Sequence, residues 1–293
     1  MNFLGNLKLA SASCSWYQLA KNSKKKKEAR WLRRPAVESH IQSQYNGFDL
    51  IISNSTTHPV MSKHVRVGKL LREFYLAPSK TLKVELATRR KDHGLLECPY
   101  CGSPKVPDTL DHFLPKEAWP EYAIFPNNLV PQCRGCAPIK GQRYYCKVTK
   151  QALFLHPIYN ADVSSVQFKI DISIVNDKQQ FEITFTIDRA IQGDARNRVV
   201  VHLRELHVIQ RMQTFCYRYY SHWKRKRAEE GIDIIVAMKA AVGPIQIGQV
   251  DGKNWKIAFM LGALRNPDVA KDFERVKPQS PNKVATQRDV LVV

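Results

Sequence analysis

Two Cys-x-x-Cys pairs, Cys98-Pro-Tyr-Cys101 and Cys133-Arg-Gly-Cys136, constrain this chain more than anything else in it. Each pair bends the backbone so that two thiolates face one point, and two such knuckles complete a tetrahedral zinc site. Four cysteines leave no open position on the metal, so this zinc is structural and not catalytic. Gly102 and Gly135 ease the knuckle turns. A single Cys-x-x-Cys could be a redox pair; two of them fit zinc better. The other cysteines are Cys14, Cys146 and Cys216. An odd count in two tight pairs and three strays is a poor disulfide framework and points to a reducing, cytoplasmic setting.

The knuckles are also unusually far apart. From Gly102 to Gln132 there are 31 residues, where a plain zinc ribbon has about 15–20. Something larger than a hairpin is built between them. This insert carries Leu110-Asp111-His112-Phe113-Leu114-Pro115-Lys116 and then Phe125-Pro126-Asn127-Asn128-Leu129-Val130-Pro131.

Around it the chain divides by pattern. Residues 1–90 read as basic and mostly helical, with the run Lys24 to Lys27 followed by Arg30, Arg33 and Arg34; a solvated tail is the usual meaning of such a run, DNA contact the less common one. Residues 91–150 are dense in Cys and Pro punctuation, with Gly at both knuckles, which predicts a small region of short elements. Within 151–190, Val166 to Ile174 and Phe181 to Ile187 alternate apolar and polar across Asn176-Asp177, a β-hairpin signature. Residues 191–276 change period: Val199, Leu203, Leu206, Ile209, Met212, Tyr219 and Trp223 predict one long helix over about 195–230, and shorter helices follow near 232–241 and 255–265. A loose tail is expected over 277–293.

Lys and Arg number 46 against 26 Asp and Glu, a net charge of +20. Such a surplus repels itself unless a polyanion is near, so nucleic acid is the leading partner and an anionic membrane the second. No stretch approaches the roughly 20 apolar residues that span a bilayer. The start, Met1 to Cys14, is broken by Asn6 and Lys8 and lacks leading basic residues, so it does not read as a secretion signal.

The Asp-His pair after an apolar residue, the Asn-Leu-Val turn, and a second Cys-x-x-Cys with Lys140 just behind it resemble the HNH endonucleases over about Glu97 to Gly141. The flanks resemble, more loosely, large bacterial HNH proteins, some from anti-phage defence operons. The resemblance implies an α+β fold with a zinc-stapled ββα-metal nuclease core and metal-dependent hydrolysis of DNA phosphodiester bonds. Such hydrolysis needs a base for water and a cation for charge on the leaving 3′ oxygen. His112 suits the first role, and Asp111, a hard carboxylate, suits Mg²⁺ or Mn²⁺. Adjacent strand residues point to opposite faces unless the strand ends there. Asn128 matches the family residue whose amide holds the intervening loop and orients the histidine. Lys116, Arg134, Lys140 and Arg143 are the candidate phosphate contacts, and His93 is a weaker one. His156 reads as packing, and His202 and His207 do not share a helix face.

One position departs from the family. After the last knuckle cysteine the family carries His or Asn, the second protein ligand to the catalytic ion; here the residue is Ala137. An engineered cutting-dead form, a naturally degenerate enzyme, or a ligand supplied from elsewhere would each account for it, and the intact surroundings favour the first. Two other functions stay open: a non-catalytic zinc module that binds nucleic acid, and an HNH ribonuclease. A regulatory or ATPase subunit is a conceivable partner, since a free basic nuclease endangers its cell.

Overall fold

The computed structural model describes residues 1–10, 15–244, 246–247 and 249–278. Cys14 and all of the expected tail beyond residue 278 lie outside that range. Among the described residues the architecture is α+β, with helical segments before and after three separate two-stranded antiparallel sheets.

Five helices come first: α1 (Ser15–Lys21), α2 (Lys26–Leu32), α3 (Pro35–Ser53), α4 (Gly68–Leu76) and α5 (Lys80–Lys91). In α3 the fixed φ of Pro35 suits the first turn, and Ile41, Tyr45, Phe48 and Ile52 fall at helical spacing on its buried face. The middle of the chain is built of short pieces. Strand β1 (Thr109–His112) pairs with β2 (Leu129–Gln132), placing Thr109 opposite Gln132 and Asp111 opposite Val130. The four-residue helix α6 (Ala137–Lys140) follows, then the small pair β3 (Tyr145–Cys146) and β4 (Gln151–Ala152).

The expected hairpin forms as β5 (Val166–Val175) and β6 (Lys178–Ile187). Its turn residues Asn176 and Asp177 sit at φ 52° and 57°, the left-handed pair that a tight hairpin with right-handed strand twist requires. The buried side chains Val166, Phe168, Ile170 and Ile172 face the helices that follow.

Where one long helix was expected, two occur: α7 (Gly193–Glu205) and α8 (Val208–Glu230), broken at His207, which adopts φ 50°. The apolar period runs through the break because Leu203, Leu206, Val208 and Met212 are all buried. Helices α9 (Ile234–Val242) and α10 (Trp255–Arg265) match the shorter pair expected there, and a further helix, α11 (Pro267–Glu274), follows. That helix was not expected; its start is capped by the Asn266 side chain, which accepts a hydrogen bond from Asp268 N, with Pro267 following the cap. Helix α10 lies so close on β5 that a side chain at Gly262 would meet the carbonyl oxygen of Ile170. The sequence segments do not keep separate cores. Buried side chains from Met1 to Phe273 form one continuous apolar cluster, with the knuckle cysteines inside it.

Candidate metal centre and adjoining cleft

The two knuckles meet. The four Sγ atoms of Cys98, Cys101, Cys133 and Cys136 lie within 4.8 Å of one another, and all four residues are buried. Cys98 and Cys136 are 3.9 Å apart at sulfur, and Cys101 and Cys133 are 4.0 Å apart. A tetrahedron of Zn–S bonds near 2.3 Å has edges of about 3.8 Å, so the donor set fits a closed metal site such as zinc. The two knuckle glycines do different jobs. Gly102 takes φ 69° as its amide donates back to Cys98 O, a turn that favours glycine. Gly135 leaves room for Arg211, whose guanidinium would lie 2.6 Å from a Cβ there and would have to shift off the sulfurs.

Arg211, on α8, caps the centre. It donates to the Sγ atoms of Cys136 at 3.3 Å, Cys101 at 3.6 Å and Cys133 at 3.8 Å, and to Leu206 O at 3.1 Å. Its guanidinium also lies over the Trp255 ring, 5.6 Å from the centroid. Burial alone would lower its pKa, but the sulfurs of Cys101 and Cys136 outweigh burial and hold it above its ordinary value. Trp255 in turn donates from Nε1 to Cys101 O.

Next to the centre, a cleft of about 230 Å³ is lined by Asp111, His112, Lys116, Glu117, Gln132 and Ala137, among others. Strand β1 ends at His112, and both members of the Asp-His pair therefore line the same cleft. Asp111 Oδ2 accepts from the Tyr100 hydroxyl at 2.6 Å and is ion-paired to Lys140 at 3.0 Å. His112 Nε2 lies 3.0 Å from Ala123 O. A carbonyl only accepts, so the proton is on Nε2 and Nδ1 carries the free lone pair. Burial, then the nearby charges of Lys116 and Lys140, pull the His112 pKa down to about 3, so the ring is neutral at physiological pH. Across the sheet, Gln132 shares a face with Asp111; its Nε2 is buried with no hydrogen-bond partner. Ala137 presents a methyl group at the rim.

The loop from Phe113 to Asn128 supplies the carbonyl that holds His112, and it is stapled closed. Asn128 is fully buried. Its Oδ1 accepts from Leu114 N at 2.7 Å, and its Nδ2 donates to Leu114 O at 3.0 Å and Tyr122 O at 3.2 Å. Its neighbour Asn127 accepts from Leu9 N and donates to Leu9 O, tying the N-terminal segment to the same loop. Arg89 of α5 donates to Leu129 O, Leu7 O and Pro126 O. Tyr45 of α3 stacks on Phe125 at 4.2 Å, and Phe48 meets Phe125 and Tyr122 edge-on. The basic helical segment thus scaffolds the loop.

The four basic candidates end up in different places. Lys140 is fully buried, with His112 O, Phe113 O and Asp111 as acceptors. All three ammonium donors are spent, so it is a strut beneath the cleft and not a phosphate contact. Burial lowers its pKa and Asp111 counteracts that. Arg143 reaches away to Glu205 and Ile139 O. Arg134 is exposed and pairs with Asp108. Only Lys116 lines the cleft, paired with Glu117 at 3.0 Å.

The remaining histidines have other work. His93 has Nδ1 accepting from Leu95 N and Nε2 beside Pro107 O, leaving no nitrogen for phosphate. His156 packs against Phe113 and Tyr159. His202 bridges Leu155 N and Tyr100 O. Tyr100, Arg89 and Arg211 went unnoticed in the sequence. Tyr100 stood inside the first knuckle, but Arg211 lies far along the chain and only the fold brings it to the sulfurs.

No family model matches the chain, and no solved structure matches it. Over 68 residues it is 40% identical to protein ea31 of Escherichia phage lambda. That stretch is 23% of this chain and 22% of the phage protein, so the chain spans about a fifth of the relative it matches. No helix among the described residues is long and apolar enough to cross a membrane.

Proposed function

We propose that this chain is built as an HNH-type endonuclease acting on DNA, with one ligand of its catalytic ion missing at Ala137. The observation that carries this reading is the strand end at His112. It puts an imidazole with a free Nδ1 and a carboxylate into one cleft, beside four clustered thiols and beneath a loop stapled by Asn128. The order β1, β2, α6 supports a ββα core, and the four cysteines are the ligands of a structural zinc.

In this reading His112 Nδ1 takes the proton from the attacking water. An imidazole held at about 3 is a weak base, and a bound anionic phosphodiester counters the Lys116 and Lys140 charges that depress it. Lys116 meets the phosphate. Asp111 is positioned by Tyr100 and Lys140. A divalent ion such as Mg²⁺ or Mn²⁺ would stabilise negative charge on the leaving 3′ oxygen. The residues present fall short of holding one: Asp111 already shares Oδ2 with two donors, and a methyl group ligates nothing. Mg²⁺ loses its waters reluctantly, so a single carboxylate holds it weakly. The chain as it stands therefore lacks a firm seat for that ion.

The test restores the ligand. Ala137→Asn, or Ala137→His, should switch on Mg²⁺- or Mn²⁺-dependent cleavage of duplex DNA by about 10²–10³-fold, the usual worth of one preorganised electrostatic contact. Adding His112→Ala should abolish it. A restored chain that stays inert on both DNA and RNA, or an unaltered chain that already cuts at full rate, refutes the assignment. Cleavage of RNA alone moves the substrate to the ribonuclease alternative. Ala137 itself favours a second reading, a zinc module that binds nucleic acid without cutting. A cytoplasmic role in bacterial defence, with a regulatory or ATPase subunit as partner, belongs to the same proposal and rests on the family resemblance.

A further inference from the structure

Beside the second knuckle, with Gly135 in its lining, lies a groove of about 330 Å³. Its walls include Lys105 from the segment after the first knuckle, Arg218 from α8 and Lys256 from α10; Phe215, Trp255 and Gly135 line it as well. Lys105, Arg218 and Lys256 are exposed, and none has an ion-pair partner among the described residues. No acidic side chain lines the groove. Arg211 adds a fourth positive charge at its inner wall, although its guanidinium is turned to the sulfurs.

Three cations without acid partners, brought to one groove by three separate segments, leave it with a local surplus of positive charge. The surface pairs Arg134–Asp108, Arg275–Asp177 and Lys226–Glu230 show that acids are placed beside cations elsewhere on this protein. Phe215 and Trp255, with ring centroids 5.8 Å apart, give the groove an apolar wall that weakens local screening. Its position matters as much as its charge. Gly135 lies two residues before Ala137, so the rims of groove and cleft are within about 7 Å along the backbone. One strand of a duplex advances about 3.4 Å per nucleotide. The groove is thus about two nucleotide steps from the cleft.

We propose that this groove binds the phosphate backbone of duplex DNA, holding the stretch that flanks the phosphodiester seated in the cleft. This rests on the nuclease reading for its orientation, but the binding can be measured without cutting. Each phosphate neutralised releases condensed counterions and contributes about 0.9 to the slope of log affinity against log salt.

The experiment compares two double variants of the full zinc-loaded chain on one radiolabelled duplex across a salt series. Arg218→Gln with Lys256→Gln empties the groove of two charges. Lys178→Gln with Lys239→Gln removes two exposed charges at sites outside the groove. The groove double should lower the salt slope by about 2 and weaken binding about 60-fold at 0.1 M salt. The control double should change the slope by well under 1, and both should keep their zinc and melting temperature. Equal effects from the two doubles overturn the groove, since net charge alone would then explain binding. So does a native chain that ignores duplex DNA, or one that prefers RNA through the same two residues. If the groove double loses DNA while the Ala137→Asn chain cuts nothing, the nuclease reading falls and the groove stands.

Discussion

Asn128→Ala removes the side chain that closes the loop over His112, and its cost can be worked from the contacts. Three hydrogen bonds disappear, but they are not equivalent. Tyr122 O keeps a second donor, Phe125 N, at 3.2 Å. Leu114 N and Leu114 O have no other partner, and both bonds from Asn128 to Leu114 are buried. Each orphaned buried backbone group costs about 1–3 kcal/mol, so the pair costs about 4 kcal/mol. At about 2 °C per kcal/mol for a chain of this size, the melting temperature should fall by about 8 °C. Asn128→Asp should be no milder, because it keeps the Leu114 N bond but sets a carboxylate against two carbonyl oxygens. Asn127→Ala, whose bonds to Leu9 are only partly buried, should cost about half as much. Differential scanning calorimetry reads the stability, and exchange of the Leu114 amide reads the local opening. A loss below about 1 kcal/mol for Asn128→Ala, with Leu114 still protected, would refute the staple.

Elemental analysis should find one zinc per folded chain, and Cys133→Ser should lose both metal and solubility, since closing the thiolate site contributes directly to folding; folded protein without zinc would end that claim. Acid should destabilise the protein before its carboxylates titrate. His112 and His202 are held neutral by burial, at about 3 and about 4, whereas the unfolded chain takes up those protons near 6.5. Stability from these two groups is therefore complete above about pH 6.5 and is lost as pH falls below it, by about 1.4 kcal/mol per histidine at pH 5.5. Urea unfolding at pH 7.5 and 5.5 checks the sign, and an unchanged midpoint in a His202→Gln comparison would contradict it.

What the sequence displayed was local. The knuckles were legible because two thiols and a tight turn announce themselves within four residues, and the hairpin because Asn176-Asp177 can take the left-handed turn that few other pairs accept. The break at His207 was not legible, since the apolar spacing continues through it and no Gly or Pro marks it. Lys140 was misjudged for a related reason. A lysine beside a presumed phosphate site reads as a contact, and only the fold shows three acceptors converging on its ammonium group. Asp111 and His112 share a cleft because β1 stops at His112, a matter of strand length that alternation alone does not give. The phage relative covers too little of either protein to substitute for that geometry.

With zinc in the four-cysteine site, as proposed, Arg211 would link that site to the order of events during folding. Its guanidinium is wrapped by sulfur and the Trp255 face, with Leu206 O as its one oxygen acceptor. Before metal arrives, four sulfurs in so small a space cannot all carry charge, so Arg211 docked there faces fewer thiolates than beside a loaded site. Helix α8, and α10 which brings Trp255, would therefore settle more firmly once the knuckles are loaded. A newly made chain starved of metal would hold Met212, Cys216 and Tyr220, the buried stripe of α8, open to water and to other chains. Metal supply would then set the timing of assembly for the C-terminal half, and it is there, outside the knuckles themselves, that a shortage would first show as aggregation.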